Sequence, residues 1–239
     1  MIKAICGLLI LMLCSSLFAG NNFEVKYKGA LKNIMHKGDI SAKYSLSEIA
    51  GKENIYALGA LENLQGEIQI FDSKPFNSAG IDEKIEISNS YSKKASLLVY
   101  AQVSEWTEIN IPNEILSYEQ LETYIAEKAE ENRLDVDKPF PFLLEGKPES
   151  IDWHIIKWEI GDNDHSHQKH IESGPHGTLE KTEMDILGFY SSRHHAIFTH
   201  HTTNMHLHFK TADEKIAGHL DGMKLGQNMV LKLPKPNKK

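Results

Sequence analysis

From Met205 to Phe209 apolar residues and histidines alternate one for one, and few backbones can satisfy that pattern. A helix would scatter the two kinds around its circumference. A strand, with a side-chain period of two, sorts Met205, Leu207 and Phe209 onto one face and His206 and His208 onto the other. The apolar face reads as a core face, and the opposite face points two imidazoles into one space. Thr211 to Lys215 is a polar turn, and Ile216 to Asp221 reads as the returning strand. With the turn centred on Asp213 and Glu214, His208 opposes His219 and His206 opposes Asp221, with Cβ atoms roughly 4.5–5.5 Å apart across each pair. Three neutral imidazoles hold Zn²⁺ at about 2.0–2.1 Å per nitrogen and leave a fourth position open, the pattern of a catalytic site. Asp221 would fix one imidazole tautomer by accepting its N–H, and Gly218 would admit a close approach of backbone or ligand. Two other readings share the pattern. Histidines on a surface strand need no metal, and a cupin-like site also begins with His-x-His.

The same period-two logic applies along most of the chain. Strand-like runs start at Phe23, Asn54, Gly66, Lys84 and Ser96, and again at Ile151, Met184, His195, Met205, Gly218 and Met229. One helix is well marked, with Ser117 as N-cap and Gln120 three residues later as in a capping box. Leu121, Tyr124, Ile125 and Lys128 follow at helical spacing. Asp162 to Gly177, polar and rich in His and Gly, reads as a loop. The expected architecture is α+β, with mixed sheets in two packed subdomains. The prolines Pro139 and Pro141 put the division at 138/139, giving an N-terminal α/β unit over 21–138 and a β-rich zinc-binding unit over 139–239.

Composition narrows the function. The 239 residues hold 26 Lys+Arg against 33 Asp+Glu, a net charge of −7, so no basic surface for nucleic acid is expected. There are 13 histidines, most of them between His154 and His219. Residues 1–20 read as an export signal: Lys3, an apolar run from Ala4 to Cys14 too short for a span of about 20 residues, then small residues ending at Ala19 and Gly20. Cleavage there removes Cys6 and Cys14, the only cysteines. The exported chain then has no disulfide and no membrane attachment, and any metal must be held by His, Asp or Glu.

With these residues assembled, the chain resembles the alpha-acetolactate decarboxylase family, as a divergent and exported member. The His206, His208, Gly218 and His219 pattern is similar to that family's zinc motif in spacing. His36 to Asp39, the run from Ala57 to Phe76 with its Gln65-Gly66-Glu67 segment, and Leu187 to Ser192 are similar to other family segments, in order. The resemblance implies a two-domain α/β fold, Zn²⁺ on His206, His208 and His219, often a homodimer, and decarboxylation of 2-acetolactate to acetoin. Glu67 matches the family's acidic residue and is assigned as proton donor or substrate-orienting carboxylate; a solvated strand glutamate is the plainer reading. The family's threonine falls on Ala60. Its active-site arginine falls on His154, which would bind the substrate's carboxylate only when protonated, below an ordinary pKa of about 6.5; a half-buried strand histidine is the alternative. The family's second acid, in a C-terminal tail, finds no match in the 20 residues after His219.

Three functions follow. The leading one is a zinc-dependent carboxy-lyase acting on a small 2-hydroxy-3-keto acid. The second is an exported metal- or small-ligand-binding homologue without catalysis. The third is a cupin-like metal oxygenase.

Overall fold

The computed structural model describes residues 23–81, 84–162 and 164–236. The export-signal stretch lies outside the described residues. Two eight-stranded sheets divide the chain in sequence order. The first contains β1 (Lys26–Lys28), β2 (Tyr44–Ser45), β3 (Ile55–Leu61), β4 (Glu67–Phe71), β5 (Lys74–Pro75), β6 (Asn77–Ile81), β7 (Lys84–Ser88) and β8 (Lys94–Gln102). The second contains β9 (Trp106–Asn110), β10 (Phe140–Gly146), β11 (Ser150–His154), β12 (His176–Glu180), β13 (Met184–Tyr190), β14 (Met205–Thr211), β15 (Ala217–Lys224) and β16 (Val230–Pro234). Helices α1 (Leu31–Lys37), α2 (Tyr118–Glu131) and α3 (His167–Glu172) complete the described elements used below. The α+β class is as expected.

The pairing is antiparallel in both sheets rather than mixed. Short connections join β3 to β4 and β14 to β15, whereas parallel neighbours need a long crossover. The sheets change over between Gln102 and Trp106, while the sequence reading placed its boundary at 138/139. The reason is α2. Its buried residues Leu121, Tyr124, Ile125 and Ala129 join the core built on the second sheet. The capping box at Ser117 and Gln120 is present as expected.

The two sheets face one another. Leu58, Phe71, Phe76 and Val99 from the first pack against Leu143, Leu187, Phe189 and Ala217 from the second. On the far side of the second sheet, Phe142, Ile186, Leu207 and Phe209 pack under α2. Both faces of β14 are therefore buried: Met205, Leu207 and Phe209 face α2, and His206 and His208 face the first sheet.

Two local readings are corrected. The segment from His195 is a turn, with Ala196 at φ 58° and a bridge from His195 to Thr199, because its apolar residues dock on Tyr27 and α1 rather than on a sheet face. The expected loop over 162–177 contains α3, started by the Ser166 side chain, which accepts the Lys169 N–H.

Gly66 introduces β4 at φ +136°, and a Cβ there would lie 2.2 Å from the Ser78 carbonyl oxygen. Only glycine fits this approach. Gly66→Ala is expected to cost about 1–3 kcal/mol of stability, read as a lower urea midpoint with an unchanged slope; an unaltered midpoint would show that the approach relaxes freely.

Candidate functional site

The second sheet sets imidazoles in a row. His208 on β14 is the cross-strand partner of His219 on β15, which is in turn the partner of His154 on β11. The expected His208–His219 register is thus present. The neighbouring His206–Asp221 apposition is not part of the ladder, which runs through His208–His219, Phe209–Gly218 and Lys210–Ala217. A register shift between β11 and β15 passes from Trp153–Leu220 to Asp152–Gly222, so Asp221 has no partner across that ladder. Such an irregularity re-aims side chains. Asp221 accepts the His154 Nδ1–H at 2.8 Å and lies 3.1 Å from His219 Nδ1. Gly218 serves the role foreseen for it, since a Cβ there would come within 2.7 Å of the His154 carbonyl oxygen.

The first sheet closes the site from the other side. In β4 the alternation turns Ile68 and Ile70 outward to a separate core and aims Glu67, Gln69 and Phe71 at the second sheet. Glu67 is buried, with Oε1 accepting the Ile156 N–H at 3.2 Å and lying 3.8 Å from His154 Nε2. Its Oε2 lies 3.9 Å from His208 Nε2. Burial pushes the Glu67 carboxyl well above its ordinary pKa, against the opposing Ile156 hydrogen bond. Glu67 is therefore not a solvated strand residue. Gln69 is also wholly buried. Its amide nitrogen donates to the Phe76 carbonyl and to Ser78 Oγ, which leaves Oε1 to accept from His208 Nδ1 at 3.0 Å. That bond places the His208 proton on Nδ1 and its lone pair on Nε2.

All five residues singled out from sequence come together here. His206, His208 and His219 offer nitrogens within 4.8 Å of one another. His206 Nε2 and His208 Nε2 are 3.3 Å apart, close to the roughly 3.3–3.4 Å edge of a tetrahedron with metal–nitrogen bonds of about 2.0–2.1 Å. Burial holds the His206 and His208 pKa values well below ordinary, with the neighbouring imidazoles adding to it, so the neutral form that a metal ion requires is favoured at both. His206 Nδ1 and His219 Nδ1 are buried without a hydrogen-bond partner. Neutral imidazoles, ligand spacing and unpartnered nitrogens together fit a divalent ion, and Gln69 is the acceptor behind His208.

His154 differs from the sequence reading in its charge. Burial lowers its pKa despite the Asp221 hydrogen bond, so the protonated form is confined to more acid pH than an exposed histidine would show. The other histidines divide. His200, His167 and His170 line the pocket, with His200 and His170 pushed down to about 3 by burial. His165 stacks on Trp158 beside His170. His36 is exposed on α1, away from the site. Sequence reasoning missed Gln69, although its even spacing from Glu67 was a usable signal. It also missed the apolar wall of Leu31, Ile34, Leu64, Leu97, Ile156 and Phe198, which arrives from distant elements.

The family model for alpha-acetolactate decarboxylase matches residues 27–237. Among solved structures, an alpha-acetolactate decarboxylase from Bacillus subtilis strain 168 superposes with a TM-score of 0.69 at 15% identity, covering 90% of this chain and 89% of that one. The acetolactate decarboxylase from Bacillus subtilis subspecies spizizenii gives 0.68 at 14% identity, with 90% of each chain covered. A Staphylococcus aureus protein of unknown function, described as similar to alpha-acetolactate decarboxylase, gives 0.66 at 14% identity, covering 87% of this chain and 84% of that one. No curated protein matches the sequence.

Replacing Gln69 tests the role of its carbonyl. Gln69→Leu is expected to weaken zinc binding about 10–100-fold in chelator competition, while Gln69→Glu keeps an acceptor and retains binding. Equal affinity in Gln69→Leu and the native protein would remove this residue from the site.

Proposed function

The chain belongs to the alpha-acetolactate decarboxylase family, and on that premise we propose that it is a zinc-dependent carboxy-lyase acting on 2-acetolactate or a related 2-hydroxy-3-keto acid. One observation carries the reading: a buried carboxyl group, Glu67, whose burial favours its protonated form, stands 3.9 Å from the nitrogen of a three-imidazole cluster, at a pocket with an apolar wall.

His206, His208 and His219 would hold a divalent ion, which would supply the Lewis acidity that loss of carbon dioxide from a 3-keto acid calls for. The remaining requirements fall on the chain. The carbon that loses carbon dioxide must gain a proton, and Glu67 holds one. Its Oε1 is occupied by the Ile156 N–H, so Oε2, on the imidazole side, is the oxygen that delivers it. His154, steadied through Nδ1 by Asp221, presents Nε2 towards Glu67 and orients the substrate's oxygen atoms beside it. The aliphatic wall takes the alkyl groups and excludes water, which strengthens each polar interaction inside.

A second reading, a metal- or ligand-binding protein without turnover, has its own support. Among the described residues that line this pocket there is no lysine or arginine to fix a carboxylate. Acetoin release from racemic 2-acetolactate by zinc-loaded protein separates the two. Turnover that disappears in His208→Ala supports the lyase; zinc binding by folded protein with no acetoin supports the alternative.

Glu67→Gln is expected to lower kcat by about 10²–10⁴-fold with zinc content unchanged. Because the raised carboxyl must be protonated to act, kcat should stay flat through the ordinary carboxylate range and fall at higher pH as the proton is lost. The residual rate of Glu67→Gln should lack that limb. Identical pH–rate profiles for the two proteins would remove Glu67 as the donor.

A further inference from the structure

Asp221 is a largely buried carboxyl group ringed by imidazoles. Its side chain is 11% exposed, and three imidazoles surround it: His154 Nδ1 at 2.8 Å, His219 Nδ1 at 3.1 Å and His167 Nε2 at 4.0 Å. No lysine or arginine among the described residues forms an ion pair with it, and Oδ1 is buried without a hydrogen-bond partner. A buried carboxylate without a countercharge is costly. Two imidazoles and a carboxylate form a common donor set for divalent transition ions. His154, His219 and Asp221 also offer ligand atoms within 4.8 Å of one another, a set that shares His219 with the three-histidine group.

We propose that Asp221, His154 and His167 form a second divalent-cation site beside the three-histidine centre, on the side where α2 and β15 border an open groove. The ion takes the place of the proton between His154 Nδ1 and Asp221, and that proton moves to His154 Nε2. His167 is 53% exposed, so its side chain has room to close the 4.0 Å gap to Asp221. His219 lies between the two sites, with Nδ1 towards Asp221 and its ring against His206 and His208. The register irregularity at Asp221 is the backbone feature that creates the site, because it turns this carboxylate towards His154 and His219.

The second ion has a purpose if the carboxy-lyase reading holds, and this part rests on that reading. An acid substrate needs a positive partner, and the residues lining the pocket include no permanent cation. A divalent ion against the single charge of Asp221 leaves net positive charge beside the pocket.

Metal stoichiometry tests the site without turnover. Chelator-stripped full-length protein is titrated with Zn²⁺ by calorimetry, and metal per chain is measured after gel filtration. The native protein is expected to bind two ions, and His208→Ala to keep one. His167→Ala and Asp221→Asn should each weaken the second ion by ten-fold or more; His167 is exposed enough that its variant should fold. A single ion per native chain overturns the proposal, as does a second ion whose affinity neither His167→Ala nor Asp221→Asn changes. Two ions without acetoin release would uphold the second site and sink the lyase reading. Acetoin release with one ion would do the reverse.

Discussion

Imidazoles become metal ligands only when they are kept neutral, and here the clamp between two β-sheets does this. His206 and His208 project from β14 into the space that β4 closes from the first sheet, and His219 joins them from the next strand. Taken from water, the protonated ring loses more than the neutral one, so burial itself prepares the lone pairs. The same exclusion of water works in the opposite direction on Glu67, where the favoured neutral form is the one that carries a proton. A single physical condition therefore favours the unprotonated form of the bases and the protonated form of the acid within 4 Å of each other.

The site is a product of both sheets, and neither suffices alone. The second sheet supplies the row of His208, His219 and His154 across three adjacent strands. The first supplies Glu67 and, one pleat further on, Gln69, whose pinned amide decides which nitrogen of His208 keeps its proton. The β3–β4 connection that sets these two residues depends on Gly66, whose backbone no other residue type adopts comfortably. Packing of Leu58, Phe71 and Val99 against Leu187 and Phe189 then fixes the spacing of the sheets. The geometry of the site and the hydrophobic core are thus the same interface, read at two positions.

The pocket is asymmetric. One side is aliphatic, built from α1, β8 and the residues after β11; the other is almost entirely imidazole. Charge enters chiefly through two carboxyl groups that burial and neighbours treat differently. Burial raises the pKa of Glu67, whereas at Asp221 the His219 and His154 imidazoles outweigh burial and hold the carboxyl below its ordinary range. Two acids whose pKa values are pushed apart at one site are suited to different tasks.

Alternation of residue types was enough to place His206 and His208 on one face, to pair His208 with His219 through the intervening turn, and to mark α2 by its cap. Those features are local, because a strand's period and a helix's first turn are set by neighbours a few residues away. Tertiary structure decided the rest. The antiparallel pairing throughout both sheets, the docking of α2 on the second sheet, the turn at His195 and the helix inside the 162–177 segment all depend on surfaces that meet only after folding. The register irregularity that turns Asp221 towards His154 involves strands 67 residues apart. Gln69 behind His208 closes a separation of 139 residues. No sequence period reports such a contact, since what aligns the two side chains is the packing of one sheet on the other.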